Sequence, residues 1–190
     1  MLSMQGIVLV GHSTGCQDAV RYAQRCRTSS EEPPLLGVVL QAPVSDREYL
    51  ATLPSTGPLL EKAQKLLEQG QGEEICGRAH DFGGAPVTAR RWHALAAAGG
   101  DDDLFSSDLT DGQLRSMYGP LAQLPALLLI SGSDEYVPAH VDLPALGRRL
   151  AAAIGSSAKA VVVEGGVHTL EGHEAAACDA IAEFASRLQP

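Results

Sequence analysis

Three side chains in this sequence have the types and order needed for nucleophilic catalysis. Ser13 lies in Gly11-His12-Ser13-Thr14-Gly15, a G-x-S-x-G pattern. A serine hydroxyl is a weak nucleophile and needs a base, itself held by an acid. The pattern serves that chemistry when the serine occupies a sharp strand-to-helix turn, which asks its neighbours two residues away to lack side chains. The hydroxyl then projects above the C-terminal edge of a sheet. The Thr14 backbone N–H, at the start of the following helix, is placed to meet a developing oxyanion. Asp134, in Ser131-Gly132-Ser133-Asp134-Glu135-Tyr136-Val137-Pro138, is the candidate acid, and His168, in Glu164-Gly165-Gly166-Val167-His168-Thr169, is the candidate base. Ser, Asp, His is the chain order this arrangement follows. The plainer alternatives are an incidental Gly-rich turn at Ser13 and a turn cap at Asp134. Glu135 carries the same charge as Asp134, but its side chain is expected to point elsewhere. His173 is a rival base near the start of the last helix. His12 is expected to pack or hydrogen-bond locally, and His80, His93 and His140 to be surface or cap residues.

Positioning these side chains falls to strands alternating with helices. Gly6 to Val10 reads as a buried parallel strand, followed by a helix from Cys16 to about Arg27. Thr28 to Pro34 is a polar loop. Leu36 to Gln41 is a second buried strand, stopped by Ala42-Pro43. Pro125 to Ser131 and Lys159 to Glu164 are a third and a fourth, each running into one of the candidate loops. Leu143 to Ile154 is an amphipathic helix. Glu174 to Leu188 closes the chain, with Ala177, Ile181 and Phe184 on its inner face. This alternation predicts an α/β fold with a mostly parallel sheet flanked by helices. From about 45 to 120 strand-like runs vanish. Leu59 to Gln69 and Thr88 to Ala98 read as helices, Gly70 to Gly77 and His80 to Pro86 as glycine-rich breaks, and Asp101 to Asp111 as an acidic loop. A helical insertion in a single domain is expected there, covering the site and setting substrate choice. Asp46 and Arg47, at its start, read as a hinge ion pair or a substrate contact.

Composition narrows the function classes. The chain has 190 residues, 45% hydrophobic and 19% charged, with a formal net charge of −9. That acidity argues against nucleic acid or a membrane surface as partner. No apolar run approaches the ~20 residues that span a bilayer, and no signal-peptide pattern opens the chain. Cys16, Cys26, Cys76 and Cys178 form no C-x-x-C pair, so reduced thiols in a cytoplasmic protein are expected rather than zinc or disulfides. No G-K-[ST] follows Gly15, which excludes a P-loop, and no dinucleotide fingerprint is present. Asp101-Asp102-Asp103 lacks metal-ligand spacing and reads as a solvated loop. No cofactor is called for.

The segments Gly11-His12-Ser13-Thr14-Gly15-Cys16-Gln17-Asp18, Gln41-Ala42-Pro43-Val44-Ser45-Asp46-Arg47-Glu48 and Phe105-Ser106-Ser107-Asp108-Leu109, with the Asp134 loop and the Gly-Gly-x-His168 turn, carry a resemblance. The chain resembles the α/β-hydrolase superfamily and, within it, the DUF1749 (UPF0613) group, which includes fungal siderophore esterases. The resemblance implies a carboxylic-ester hydrolase acting on a small-molecule ester, with Ser13, Asp134 and His168 as the triad and Thr14 at the oxyanion. It also implies roughly ninety further residues ahead of the elbow strand. Here Met1 to Gln5 lead almost directly into that strand. The expectation is therefore a partial α/β-hydrolase fold without the leading strands and without the loop giving a second oxyanion N–H. A catalytically impaired fragment is the alternative function. One edge of the first strand is expected to lie open, to favour self-association.

Overall fold

Four aliphatic runs pair side by side into a parallel sheet. They are β1 (Ile7–His12), β2 (Leu35–Gln41), β5 (Ala126–Ser131) and β6 (Ala158–Val163), in the order β1-β2-β5-β6. The computed structural model describes residues 6–26, 34–79 and 83–188. His80 and most of the 28–34 loop lie outside them. Residues 6–44 and 107–188 pack as one compact unit and Ser45–Ser106 as another.

In the sheet unit β5 is central and buried along its whole length, as its unbroken ALLLIS run requires. Burying each of its leucines stabilises the fold by about 1.5–3 kcal/mol. Helices α1 (Gly15–Cys26) and α6 (Leu143–Ile154) pack on the strands. On α6, a Cβ at Gly147 would come within 2.9 Å of the Ile130 side chain, so a larger residue there would push the helix off β5. Asp142 caps α6, accepting the Ala145 N–H at 2.8 Å. The last helix, α7 (Glu174–Ser186), sets Ala177, Ile181 and Phe184 against Val39, Leu127, Leu129 and Val163, yet buries none of its residues fully.

β1 corrects one expectation. It reads as buried on both faces, but Val8 and Val10 are 37% and 59% exposed, while its place at the edge of the sheet is the one expected. Among the described residues β2 is its one strand neighbour.

The segment from 107 to 120 belongs with the sheet unit. It contains α5 (Asp111–Tyr118), opened by a Thr110–Gln113 capping box, and a single 3₁₀ turn (Gly119–Leu121). Arg149 of α6 fixes its start, donating to the carbonyls of Ser107 at 2.8 Å and Leu109 at 2.6 Å and pairing with Asp111.

The other unit holds α2 (Asp46–Leu50), α3 (Thr56–Glu68), an antiparallel hairpin of β3 (Ile75–Ala79) and β4 (Ala85–Thr88), and α4 (Ala89–Ala96). The hairpin falls where the sequence suggests only glycine-rich breaks. Its strands, ICGRA and APVT, carry glycine, arginine and proline instead of alternating β-branched residues, so they announce no strand. They form because Cys76, Ala79 and Val87 join Leu50, Ala63, Trp92 and Leu95 in a common core.

The acidic loop is not uniformly solvated. Asp103 is 3% exposed, and its carboxylate pairs with Arg47 at 2.9 Å, takes the Gly99 N–H at 3.0 Å and accepts the Ser106 hydroxyl. Ser106 lies 2.6 Å from the Ser45 hydroxyl, which caps α2 by accepting the Glu48 N–H. Arg47 thus pairs within this unit, with Asp103 as its counter-ion. Asp103→Ala strips a largely buried guanidinium of its counter-ion, a change that costs about 3–5 kcal/mol in buried pairs. Arg47 keeps 15% of its side chain exposed, so a loss near the lower end is expected in urea unfolding of the variant.

Candidate active site

The site is built at the C-terminal ends of the four parallel strands, the edge where α/β sheets present ligand-binding loops. Ser13 follows β1, Gln41 ends β2, Asp134 follows β5, and His168 follows β6. Ser13 sits at φ +55°, a left-handed conformation that costs a non-glycine residue about 1–2 kcal/mol. Its N–H donates to the Gln41 carbonyl at 3.1 Å, and its carbonyl accepts the Cys16 N–H at 2.8 Å. The turn leaves no room at Gly11, where a Cβ would lie 2.3 Å from the Gly15 carbonyl oxygen. Gly15 differs from expectation, since a Cβ there would meet nothing within 4 Å. Thr14 is exposed and immediately precedes α1, where first-turn N–H groups lack intrahelical acceptors.

The acid and base loops are tied together. The Gly132 N–H donates to the Val163 carbonyl at 2.9 Å and the Ser133 N–H to the Gly166 carbonyl at 2.8 Å. Both glycines are crowded: a Cβ on Gly132 would lie 2.9 Å from the Val163 oxygen, and one on Gly166 would lie 2.6 Å from the Leu170 side chain. This docking sets Asp134 against His168. The imidazole Nδ1 lies 2.8 and 3.0 Å from the two carboxylate oxygens, and both residues are 6% exposed. A carboxylate only accepts, so Nδ1 carries the proton and Nε2 of the neutral ring is left as the acceptor. His173 makes no such pair. It precedes α7, with its Nδ1 3.3 Å from the Glu171 carbonyl. His140 is exposed, and His93 is half-buried on α4.

Three neighbours of His168 carried no signal of their role in the sequence. Glu135 turns its carboxylate to the His168 backbone N–H at 2.9 Å. That bond, more than any other influence, holds the Glu135 carboxyl below the usual glutamate value. Its contribution to stability is therefore complete above that usual value and fades as the pH falls through the lowered one. Tyr136, 39% exposed, sets its ring edge-on to the imidazole with centroids 4.7 Å apart. Gln41 joins the elbow to the base: its carboxamide oxygen takes the His12 Nδ1–H, and its nitrogen donates to the His168 carbonyl at 2.9 Å. The His12 ring stands 5.0 Å from that of His168. The structure thus brings Asp134 and His168 into contact and the residue preceding Ser13 alongside them. Among the described residues no group of His, Cys, Asp and Glu could hold a metal ion. Nor, among the described residues, is any helix long and apolar enough to cross a membrane.

The profile of a family described as "Protein of unknown function (DUF1749)" matches residues 1–186. The chain belongs to the DUF1749 family. Curated relatives include the fusarinine C esterase sidJ of Aspergillus fumigatus, 31% identical over 72% of this chain and 50% of that protein. A UPF0613 protein of Schizosaccharomyces pombe is 34% identical over 88% of this chain and 58% of the relative. Among solved structures, the siderophore hydrolase EstB from Aspergillus fumigatus superposes with a TM-score of 0.76 at 28% identity, covering 97% of this chain and 67% of EstB. A carboxyl esterase from Bacillus coagulans, at 16% identity and a TM-score of 0.54, shares the fold. This DUF1749 chain is thus a partial α/β-hydrolase fold, and it spans about half to three-fifths of the length of the curated relatives it matches.

Proposed function

We propose that this chain carries the nucleophile and base of a carboxylic-ester hydrolase. The observation that supports the reading most is the Asp134–His168 pair, one Nδ1–H shared between both carboxylate oxygens, on the sheet edge that also presents the Ser13 elbow. In this mechanism Ser13 Oγ attacks the ester carbonyl carbon while His168 Nε2 accepts the hydroxyl proton. Asp134 holds Nδ1–H and favours the imidazolium that forms. The Thr14 N–H meets the oxyanion. When the tetrahedral intermediate collapses, His168 passes the proton to the departing alcohol. Water, activated by the same imidazole, then releases the acid from Ser13. Two similar proteins bear names that point to siderophore esters, so esters of that class are the substrates to test beside p-nitrophenyl acetate.

The identity of the base has its own test. A general base that takes the serine proton contributes about 10²–10⁴-fold to the rate. His168→Ala should therefore lower p-nitrophenyl acetate turnover by at least that much, and His173→Ala should leave it. The opposite pair of results would move the base to His173.

A further inference from the structure

His168 does more than pair its ring. Its backbone N–H is held by the Glu135 carboxylate at 2.9 Å, and its backbone C=O by the Gln41 carboxamide at 2.9 Å. A loop residue with both main-chain polar groups bound by side chains is unusual, because most such groups meet other backbone or water. The Gln41 amide can be assigned. A carbonyl oxygen only accepts, so the NH₂ end must face His168, where it also lies 3.3 Å from the Ser131 hydroxyl. The oxygen end then faces His12 and accepts its Nδ1–H. Gln41 reaches both because β2 runs between β1 and β5 and pairs His12 with Gln41 and Gln41 with Leu129.

We propose that Gln41 and Glu135 are positioning residues that clamp the His168 backbone, Gln41 also tying it to the serine elbow through His12. The proposal rests on the hydrolase reading above. His168 lies on a loop that follows Gly165-Gly166, where Gly165 adopts φ +72°, and the backbone bonds that dock this loop are made at Gly166, two residues before the base. Asp134 orients the ring about Nδ1. The two clamps fix the main chain from which that ring projects, and so the distance from Nε2 to Ser13. A misplacement of about 1 Å costs on the order of 10²-fold in a proton-transfer geometry.

The test uses the whole chain and two readouts. The first is the rate at which a fluorophosphonate labels Ser13. Gln41→Met and Glu135→Ala should each slow labelling about ten- to a hundred-fold. Glu135→Gln should restore most of the rate, since its carboxamide oxygen accepts the same N–H. Gln41→Glu should not, since it sets an acceptor against the His168 carbonyl. In a His168→Ala background neither Gln41→Met nor Glu135→Ala should slow labelling further. The second readout is the downfield proton NMR signal of His168 Nδ1–H, expected in wild type and Glu135→Gln and broadened in Gln41→Met and Glu135→Ala. Variants that label at the wild-type rate and keep the signal overturn the clamp. Equal slowing with and without His168 also overturns it, because the residues then act through the fold. If His168→Ala itself labels as fast as wild type, the hydrolase reading fails, while the NMR comparison still decides the clamp.

Discussion

Ser13→Ala is expected to lower esterase turnover by roughly 10⁶-fold, the scale seen when the nucleophile of a serine triad is removed. What remains is the modest acceleration that oxyanion contacts and binding supply alone. The fold should survive. The Ser13 backbone, through its N–H to Gln41 and its carbonyl to Cys16, holds the turn, and both bonds persist in alanine. Alanine also tolerates φ +55° about as well as serine does, so the conformational cost of the elbow is unchanged. The paired measurements are p-nitrophenyl acetate hydrolysis, thermal unfolding, and mass-spectrometric location of a fluorophosphonate adduct. An adduct on another residue, or turnover that persists in a folded Ser13→Ala variant, would remove Ser13 from the mechanism.

The parts of this architecture that showed in the sequence are those where one local rule dominates. PALLLIS can satisfy its backbone and side chains only deep in a parallel sheet, and β5 is buried at every position. The elbow showed because its chemistry demands a glycine at 11, where a side chain would strike the helix start. What escaped was set by tertiary partners. Gln41 is merely the last residue of an aliphatic run, and nothing local says that its amide bridges His12 and His168. Glu135 was expected to avoid the imidazole, but its destination, the backbone N–H thirty-three positions on, depends on how two loops dock. The β3–β4 hairpin and the buried Asp103 escaped for the same reason: the core around Trp92 and the Arg47 guanidinium override weak strand propensity and acidic composition. The exposure of β1 likewise depends on which strands stand beside it and not on its own residues.

That exposure leads to the second large effect: the chain is expected to self-associate through β1. Ile7 to His12 presents one edge to β2, and among the described residues no strand pairs with the other. An open edge carries unpaired N–H and C=O groups, and here it adjoins a shallow groove lined by Leu9, Val10, His12, Ala19 and Tyr22. Exposed Val8 and Val10 add apolar surface without a charge or proline on the strand to blunt it. We propose a second copy of this chain as the occupant, because two such edges can meet antiparallel across a two-fold axis and satisfy each other's backbone. Size-exclusion chromatography with light scattering should show a mass above that of the monomer at micromolar concentration. Val10→Lys should shift the equilibrium toward monomer by at least about tenfold, since it sets like charges on both strands of the shared ribbon. It should leave the sheet intact, because Val10 is 59% exposed and gives up little burial. A wild-type chain that stays monomeric across the concentration range would rule out association through this edge, and oligomers unchanged by Val10→Lys would place the contact elsewhere.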